Sequence, residues 1–497
     1  MNIKNPIIGA DMPDPDVIRV GDTYYMVSTT MFYTPGAPIL KSKDLCNWEI
    51  ISYIFDIIDE NEIYKLENGK HAYGKGQWAT SLTHHKGLFY ACFVCHDMGK
   101  TYIFYTDDIS KSNWDRVEID EVFHDMSFLF WEGTPYLVYG NGDIYIVELR
   151  KDLRGIQKDG LKSLLLQTPK DDMRLRCEGC RAIVRDGYIY LLFIDWPKNG
   201  GRREICYRSR ELEGPYESLV LLDDDFGFTG HGVAQGTLID SEKGDWYALF
   251  FQDRGASGRI PYLLPVDWKD AWPVIGLDGK IPDSFDIPFQ QYDAAPLVCS
   301  DSFSHKNNKL NLAWQWNHNP NHDYWSFTKR QGYLRLTTSH IATGLMDARN
   351  TLTQRTMEPG SICDVMLDTT GMKDGDYAGL CAFQGRYGQI GVRIKDKERL
   401  IETRQKDKDG NILRTSTPLR QDEVYLRVIF DYRQRKDEAS FFYSMNGEAW
   451  NALGEVLPME FTLDIFVGYR IGLFNYATKN LGGFADFRDF SAILLKC

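Results

Sequence analysis

Three carboxyl groups, those of Asp14, Asp125 and Glu178, stand at corresponding places in a repeated sequence pattern. Acids that converge on one cavity cannot all ionise freely, so one stays protonated while another serves as a base. Cleavage of a glycosidic bond asks for that division: one group protonates the leaving oxygen and another activates water. The first acid lies in Asp11-Met12-Pro13-Asp14-Pro15-Asp16, where each proline fixes its own φ and favours extended backbone just before it. A strand, a Gly21-Asp22 turn and a second, aromatic strand are expected to follow. Taken alone, the motif reads equally well as a plain turn.

The elements that must position these acids repeat. A turn glycine followed three residues later by tyrosine inside an apolar strand occurs at Gly21/Tyr24, Gly87/Tyr90, Gly133/Tyr136, Gly187/Tyr190 and Gly244/Tyr247. A period of about 50 residues with several strands per repeat marks a β-propeller blade. A second echo, Ser42-Lys43-Asp44-Leu45, Thr106-Asp107-Asp108-Ile109, Arg150-Lys151-Asp152-Leu153 and Ser209-Arg210-Glu211-Leu212, reads as an outer-strand turn. Five blades are therefore expected over residues 1–296. Seven to nine positions before the five glycines stand Asp14, Trp78, Asp125, Glu178 and Gln235, and the innermost strands should bring them around one channel. In a ring of five, blades one and four are not neighbours, so Asp14 and Glu178 should lie across it. A separation of about 6.5–9.5 Å implies inversion, against about 5–5.5 Å for retention.

Trp78 would offer a flat face to a sugar ring or else pack between blades. The Met31-Phe32-Tyr33 loop could form another wall, and Arg259 could reach a hydroxyl, pair with a channel acid or, equally, form an ordinary surface salt bridge. His231 precedes the fifth inner strand and is a candidate metal ligand. Acids around a channel can also hold Ca²⁺, although no local spacing matches an EF-hand loop, and Asp223-Asp224-Asp225 reads as a solvated loop.

A chain of 497 residues exceeds one ordinary core. Its 28 Tyr, 27 Phe and 12 Trp favour strands. A net charge of −13 argues against nucleic-acid and anionic-membrane partners. No apolar run approaches the roughly 18 residues needed to span a bilayer, and the first residues lack a signal-peptide pattern, so a cytoplasmic location is expected. Composition leaves open a homo-oligomer. Ten cysteines include the pairs Cys92/Cys95 and Cys177/Cys180, read as reduced, mostly buried thiols rather than zinc or redox motifs.

The sequence resembles glycoside hydrolase family 43, the five-bladed β-xylosidases and α-L-arabinofuranosidases. The resemblance rests on Asn5-Pro6 with Pro13-Asp14-Pro15-Asp16, Ser42-Lys43-Asp44-Leu45-Cys46-Asn47-Trp48, His124-Asp125-Met126-Ser127-Phe128-Leu129, Glu178-Gly179 before Ile189-Tyr190-Leu191-Leu192-Phe193, and Arg259 with Pro265-Val266-Asp267-Trp268 and Trp272-Pro273-Val274. It implies Asp14 as general base, Glu178 as general acid and Asp125 as the group that tunes and orients the acid. It implies Phe32, Trp78 and Arg259 as substrate-binding positions, to which register adds Gln235. Two departures stand out: Asp125-Met126-Ser127 replaces the family's usual Asp-Pro-Ser, and Gln235 stands where many members carry histidine. His231 could take over that role or a bound metal.

Beyond residue 296 the repeats stop. Alternating segments around Trp314, Tyr333, Tyr377 and the Asn446-Gly447 turn imply a jelly-roll β-sandwich over 297–497. It resembles the concanavalin-A-like domain that follows many family 43 propellers, a loop of which could close the funnel into a pocket. Trp314, Trp316 and Trp325 suit packing better than sugar binding. The expected whole is all-β, an exo-acting inverting glycosidase removing terminal β-D-xylose or α-L-arabinofuranose from xylo- or arabinoxylo-oligosaccharides, with no cofactor required for the chemistry. A predominant arabinofuranosidase and a non-catalytic sugar-binding propeller are the alternatives.

Overall fold

The computed structural model describes residues 1–496. Strands dominate, and the helical segments among the described residues are short 3-10 turns. Five four-stranded antiparallel sheets follow one another along the chain. Their first strands are Asp16–Val20, Thr80–His85, Ser127–Trp131, Met173–Arg185 and Ala234–Asp240. Each touches the next, and the fifth touches the first, so the sheets close into a five-bladed propeller with these strands innermost. The five hairpin glycines all have positive φ, from 63° at Gly21 to 87° at Gly244. A methyl group at Gly21, Gly87, Gly133 or Gly244 would meet nothing within 4 Å, so glycine is required there by the left-handed backbone and not by space.

Polar links stitch neighbouring blades. Asp16 accepts from the Leu82 N–H (2.8 Å), Ser81 Oγ from Phe128 (3.1 Å) and Ser127 Oγ from Ala182 (2.9 Å). Arg19 of blade one donates to Asp240 of blade five at 2.7 Å and closes the ring. Near the axis Arg181, only 1% exposed, donates to the carbonyls of Cys180, Thr80 and Asp14 and lies 3.4 Å from Asp16. A buried guanidinium is tolerable only with such partners.

The C-terminal sandwich packs two large sheets around an apolar core that includes Trp314, Trp316 and Trp325. All three indoles are buried and Trp314 Nε1 donates to Asp301 (3.1 Å), so they serve packing. One sheet takes its edge strand from the propeller: Tyr33–Thr34 pairs with Gln315–Asn317, Thr34 opposite Trp316 and Tyr33 opposite Asn317. The chain crosses from ring to sandwich between Ser284–Asp286 and Gln315–Asn317. Cys92, Cys95, Cys177 and Cys180 are buried, and burial pushes their thiols well above the ordinary value.

Candidate active site

All five residues picked by register line a single pocket at one mouth of the channel: Asp14, Trp78, Asp125, Glu178 and Gln235. Three of them, Asp14 (φ 53°), Asp125 (φ 46°) and Gln235 (φ 62°), hold left-handed backbone, which non-glycine residues adopt at a cost of about 1–3 kcal/mol and which clusters at functional sites. For Asp14 this corrects the expectation: the residue between the prolines is not extended. The turn swings its carboxylate into the pocket, where Ser28 and Thr29 bond the carbonyl of Pro13 and hold the bend.

Asp14 is 4% exposed and tightly tied. Arg259 Nη1 donates to both its oxygens, at 3.0 and 3.2 Å, and Gln235 Nε2 donates to Oδ1 at 3.1 Å. Gln235 is in turn held through its backbone N–H by Glu204 (2.8 Å), whose carboxyl burial pushes well up. Arg259 thus pairs with a channel acid and not at the surface.

The opposite side is built differently. Glu178 Oε2 accepts from Asn141 Nδ2 (2.6 Å) and lies 3.3 Å from His124 Nε2. His124 Nδ1 meets His96 Nε2 at 3.0 Å, and His96 reaches solvent. Asp125 Oδ2 accepts the Gly179 N–H at 2.9 Å and sits 3.6 Å from His124 Nε2. Burial raises the Asp125 pKa; His124 opposes this, and the charges of Glu178 and Asp14 add to it. Burial disfavours charge on His124, yet Asp125 and Glu178 outweigh it and push the ring up to about 9. His96 goes the other way, lowered by burial and by its charged neighbour His124. The pair therefore reads as an imidazolium donating to a neutral ring.

Trp78 forms a wall, stacked on Phe466 (5.6 Å between centroids, 28°) with His96 against it edge-on at 5.0 Å. Its Nε1 is buried without a partner. Phe466 belongs to the sandwich, and with Phe461 and Leu463 it closes one side of a cavity of about 270 Å³. Arg259 Nη2 donates to the Phe466 carbonyl (3.2 Å), while Asp11 accepts from Arg259 N–H (2.7 Å) and Gly468 N–H (3.0 Å). The second domain is thereby tied to the surroundings of Asp14.

Phe32 is a correction. It does not line the pocket but is buried between Tyr73 and His318, with its ring stacked on the imidazole at 4.9 Å. Tyr33–Thr34 joins the sandwich sheet, and that pairing draws the whole loop into the domain interface. His231 lines the same pocket, at its exposed rim beside Trp196, its ring lowered by burial and by Arg202 and Arg435. Among the described residues no set of ligands gathers around it; the group that does is His124, Asp125 and Glu178, with donor atoms within 4.8 Å of one another. That set does not fit Ca²⁺, which takes six to eight oxygens. It offers two carboxylates, each with one oxygen already bonded by protein, and one imidazole, fewer free oxygens than that ion takes.

His124, His96, Asn141, Arg202 and the Phe461–Phe466 segment had no assigned part in the sequence reading. For His124 the signal was adjacency to Asp125; for the others spatial proximity alone reveals them. Arg202 lines the pocket and pairs with Asp253, and burial pulls its guanidinium down to about 10.

The family model for glycosyl hydrolases family 43 matches residues 3–273, and that for the beta xylosidase C-terminal concanavalin A-like domain matches 300–492. The chain belongs to glycosyl hydrolase family 43. It is a glycosidase with a concanavalin-A-like second domain. A beta-xylosidase of Formosa agariphila is 27% identical over 97% of this chain and 88% of its own length. A non-reducing end alpha-L-arabinofuranosidase of Bacteroides ovatus is 28% identical over 67% of this chain and 64% of its own. The solved structure of a bifunctional GH43-CE protein of Bacteroides eggerthii superposes with a TM-score of 0.94 at 41% identity, covering 99% of this chain. The chain spans 64% of the length of that bifunctional protein. No helix among the described residues is long and apolar enough to cross a membrane.

Proposed function

We propose that the protein is an exo-acting, inverting glycosidase that removes terminal β-D-xylose or α-L-arabinofuranose from xylo- or arabinoxylo-oligosaccharides. The observation that carries this reading is the gathering of Asp14, Asp125 and Glu178 around one pocket, Asp14 held by Arg259 and Gln235 and Glu178 by Asn141 and His124. Glu178 donates a proton to the glycosidic oxygen, and Asp14 takes one from the attacking water. Asp125, held to the Gly179 N–H beside Glu178, orients and tunes the donor. Asp14 stays outside the cluster in which His124, Asp125 and Glu178 come within 4.8 Å and has its own partners, so it is available for a role separate from theirs. Trp78, Gln235 and Arg259 shape the pocket around the terminal sugar. Phe461, Leu463 and Phe466 contribute a wall to the pocket, which favours release from an end. Donor, base and water suffice for this chemistry without a cofactor.

Relatives named for xylose and for arabinofuranose make arabinofuranoside cleavage the second reading. Release of 4-nitrophenol from the β-D-xylopyranoside and the α-L-arabinofuranoside, with Glu178→Ala as control, tests both. Turnover of either, lost in the variant, is expected, and the ratio names the preferred sugar. A folded protein inert on both aryl glycosides and on xylo- and arabinoxylo-oligosaccharides would leave a sugar-binding propeller instead.

A further inference from the structure

The two histidines beside Glu178 carry an inference that rests on the reading of Glu178 as proton donor. His124 and Asn141 both engage Oε2, and among the described residues nothing bonds Oε1. An acid fixed by one oxygen presents the other in a set direction, and only an oxygen free of protein partners can carry a proton towards a substrate atom. His124 cannot turn away, because its second nitrogen is engaged by His96 at 3.0 Å. His96 opens the short turn His96–Met98 and rests edge-on against Trp78, the sugar-facing wall. Blades two, three and four thus meet in one line of contacts from Trp78 through His96 and His124 to Glu178.

We propose that His124, braced by His96, is the positioning residue of the proton donor: it clamps Glu178 through Oε2 and reserves Oε1 for the glycosidic oxygen. The clamp also sets the charge around the acid. Facing His124 are His96 from blade two, Asp14 from blade one, its neighbour Asp125 and Glu178 from blade four. Arg181 acts on Asp125, and Arg202 on Glu178 and Asp14. Taking a positive charge from beside a carboxyl group favours its protonated form, so loss of the ring should move the alkaline limb of activity to higher pH.

The test compares the full chain with His124→Gln and His96→Gln on two substrates, 4-nitrophenyl β-D-xylopyranoside, whose leaving group needs little protonation, and xylobiose, whose leaving group needs much. His124→Gln should lower kcat on xylobiose by about 10- to 100-fold, part of what general acid catalysis supplies. On the aryl glycoside the loss should be a few-fold, roughly, with KM little changed and the alkaline limb raised. His96→Gln, at an exposed position, should show the same asymmetry more weakly, and it decides the matter if the first variant fails to fold. Equal losses on both substrates with an unmoved limb, or wild-type activity on xylobiose, would overturn the proposal while leaving the glycosidase reading intact. A wild-type chain silent on both substrates, on the 4-nitrophenyl α-L-arabinofuranoside and on arabinoxylo-oligosaccharides would sink that reading and the clamp with it.

Discussion

The two sides of the pocket hold their carboxyl groups by opposite means. Asp14 is nearly inaccessible, accepts at both oxygens and is bound to a guanidinium and an amide that are themselves anchored. Glu178 is partly exposed, is held through one oxygen, and touches a histidine pair that leads to solvent. A base must stay ionised and in place, whereas a donor must lose a proton and regain it in every turnover. Similar side chains acquire different duties from their surroundings.

Removal of either acid should break the comparison most severely. Asp14→Ala and Glu178→Ala are each expected to cost about 10²–10⁴-fold in kcat on oligosaccharides. On an aryl glycoside with a good leaving group, Glu178→Ala should retain far more activity than Asp14→Ala. Equal defects there would mean that the two groups do not divide the work, and steady-state rates on both substrates decide it.

Next come the anchors on the base side. Arg259→Ala removes two hydrogen bonds to Asp14 and one to the Phe466 carbonyl. A loss of about 30–1,000-fold is expected, from the roughly 2–4 kcal/mol lost with one partner of a buried charge pair, with the alkaline limb unmoved. A shift of that limb like the one expected for His124→Gln would erase the distinction between the sides.

Phe466→Ala opens the wall that the sandwich contributes and strips the stacking partner of Trp78. KM for xylobiose should rise by roughly 5–10-fold, as for a lost aromatic contact of about 1–1.5 kcal/mol, with a smaller effect on kcat. An unchanged KM would show that the second domain contributes packing and not substrate contact.

The smallest effect concerns stability. The ring of His124 titrates near 9 in the fold against an ordinary 6.5. A raised histidine pKa adds stability that is fully present below pH 6.5 and fades as pH rises to about 9. Thermal melts across that window should therefore flatten in His124→Gln; an unaltered slope would place the ring's charge elsewhere.

The ring of blades was legible because a left-handed hairpin glycine and a strand tyrosine recur at a blade-like period, and inner-strand register then placed Asp14, Trp78, Asp125, Glu178 and Gln235 together. Register works where each repeat contributes the same strand position to one axis. It fails where one segment leaves its repeat, as Phe32 does when Tyr33–Thr34 joins the other domain's sheet. It is also blind to Phe466, more than 400 residues from Asp14 in sequence, and to the meeting of His96 and His124 across two blades. The left-handed φ of Asp14 was hidden for a local reason: a following proline favours extended backbone, and the packed turn overrides it.

The most direct test of the central claim is the anomeric form of the sugar first released from a β-D-xyloside, followed by proton NMR before mutarotation. A base at Asp14 acting through water across the pocket from Glu178 predicts α-xylose. First release of β-xylose would make Asp14 a nucleophile and contradict the account.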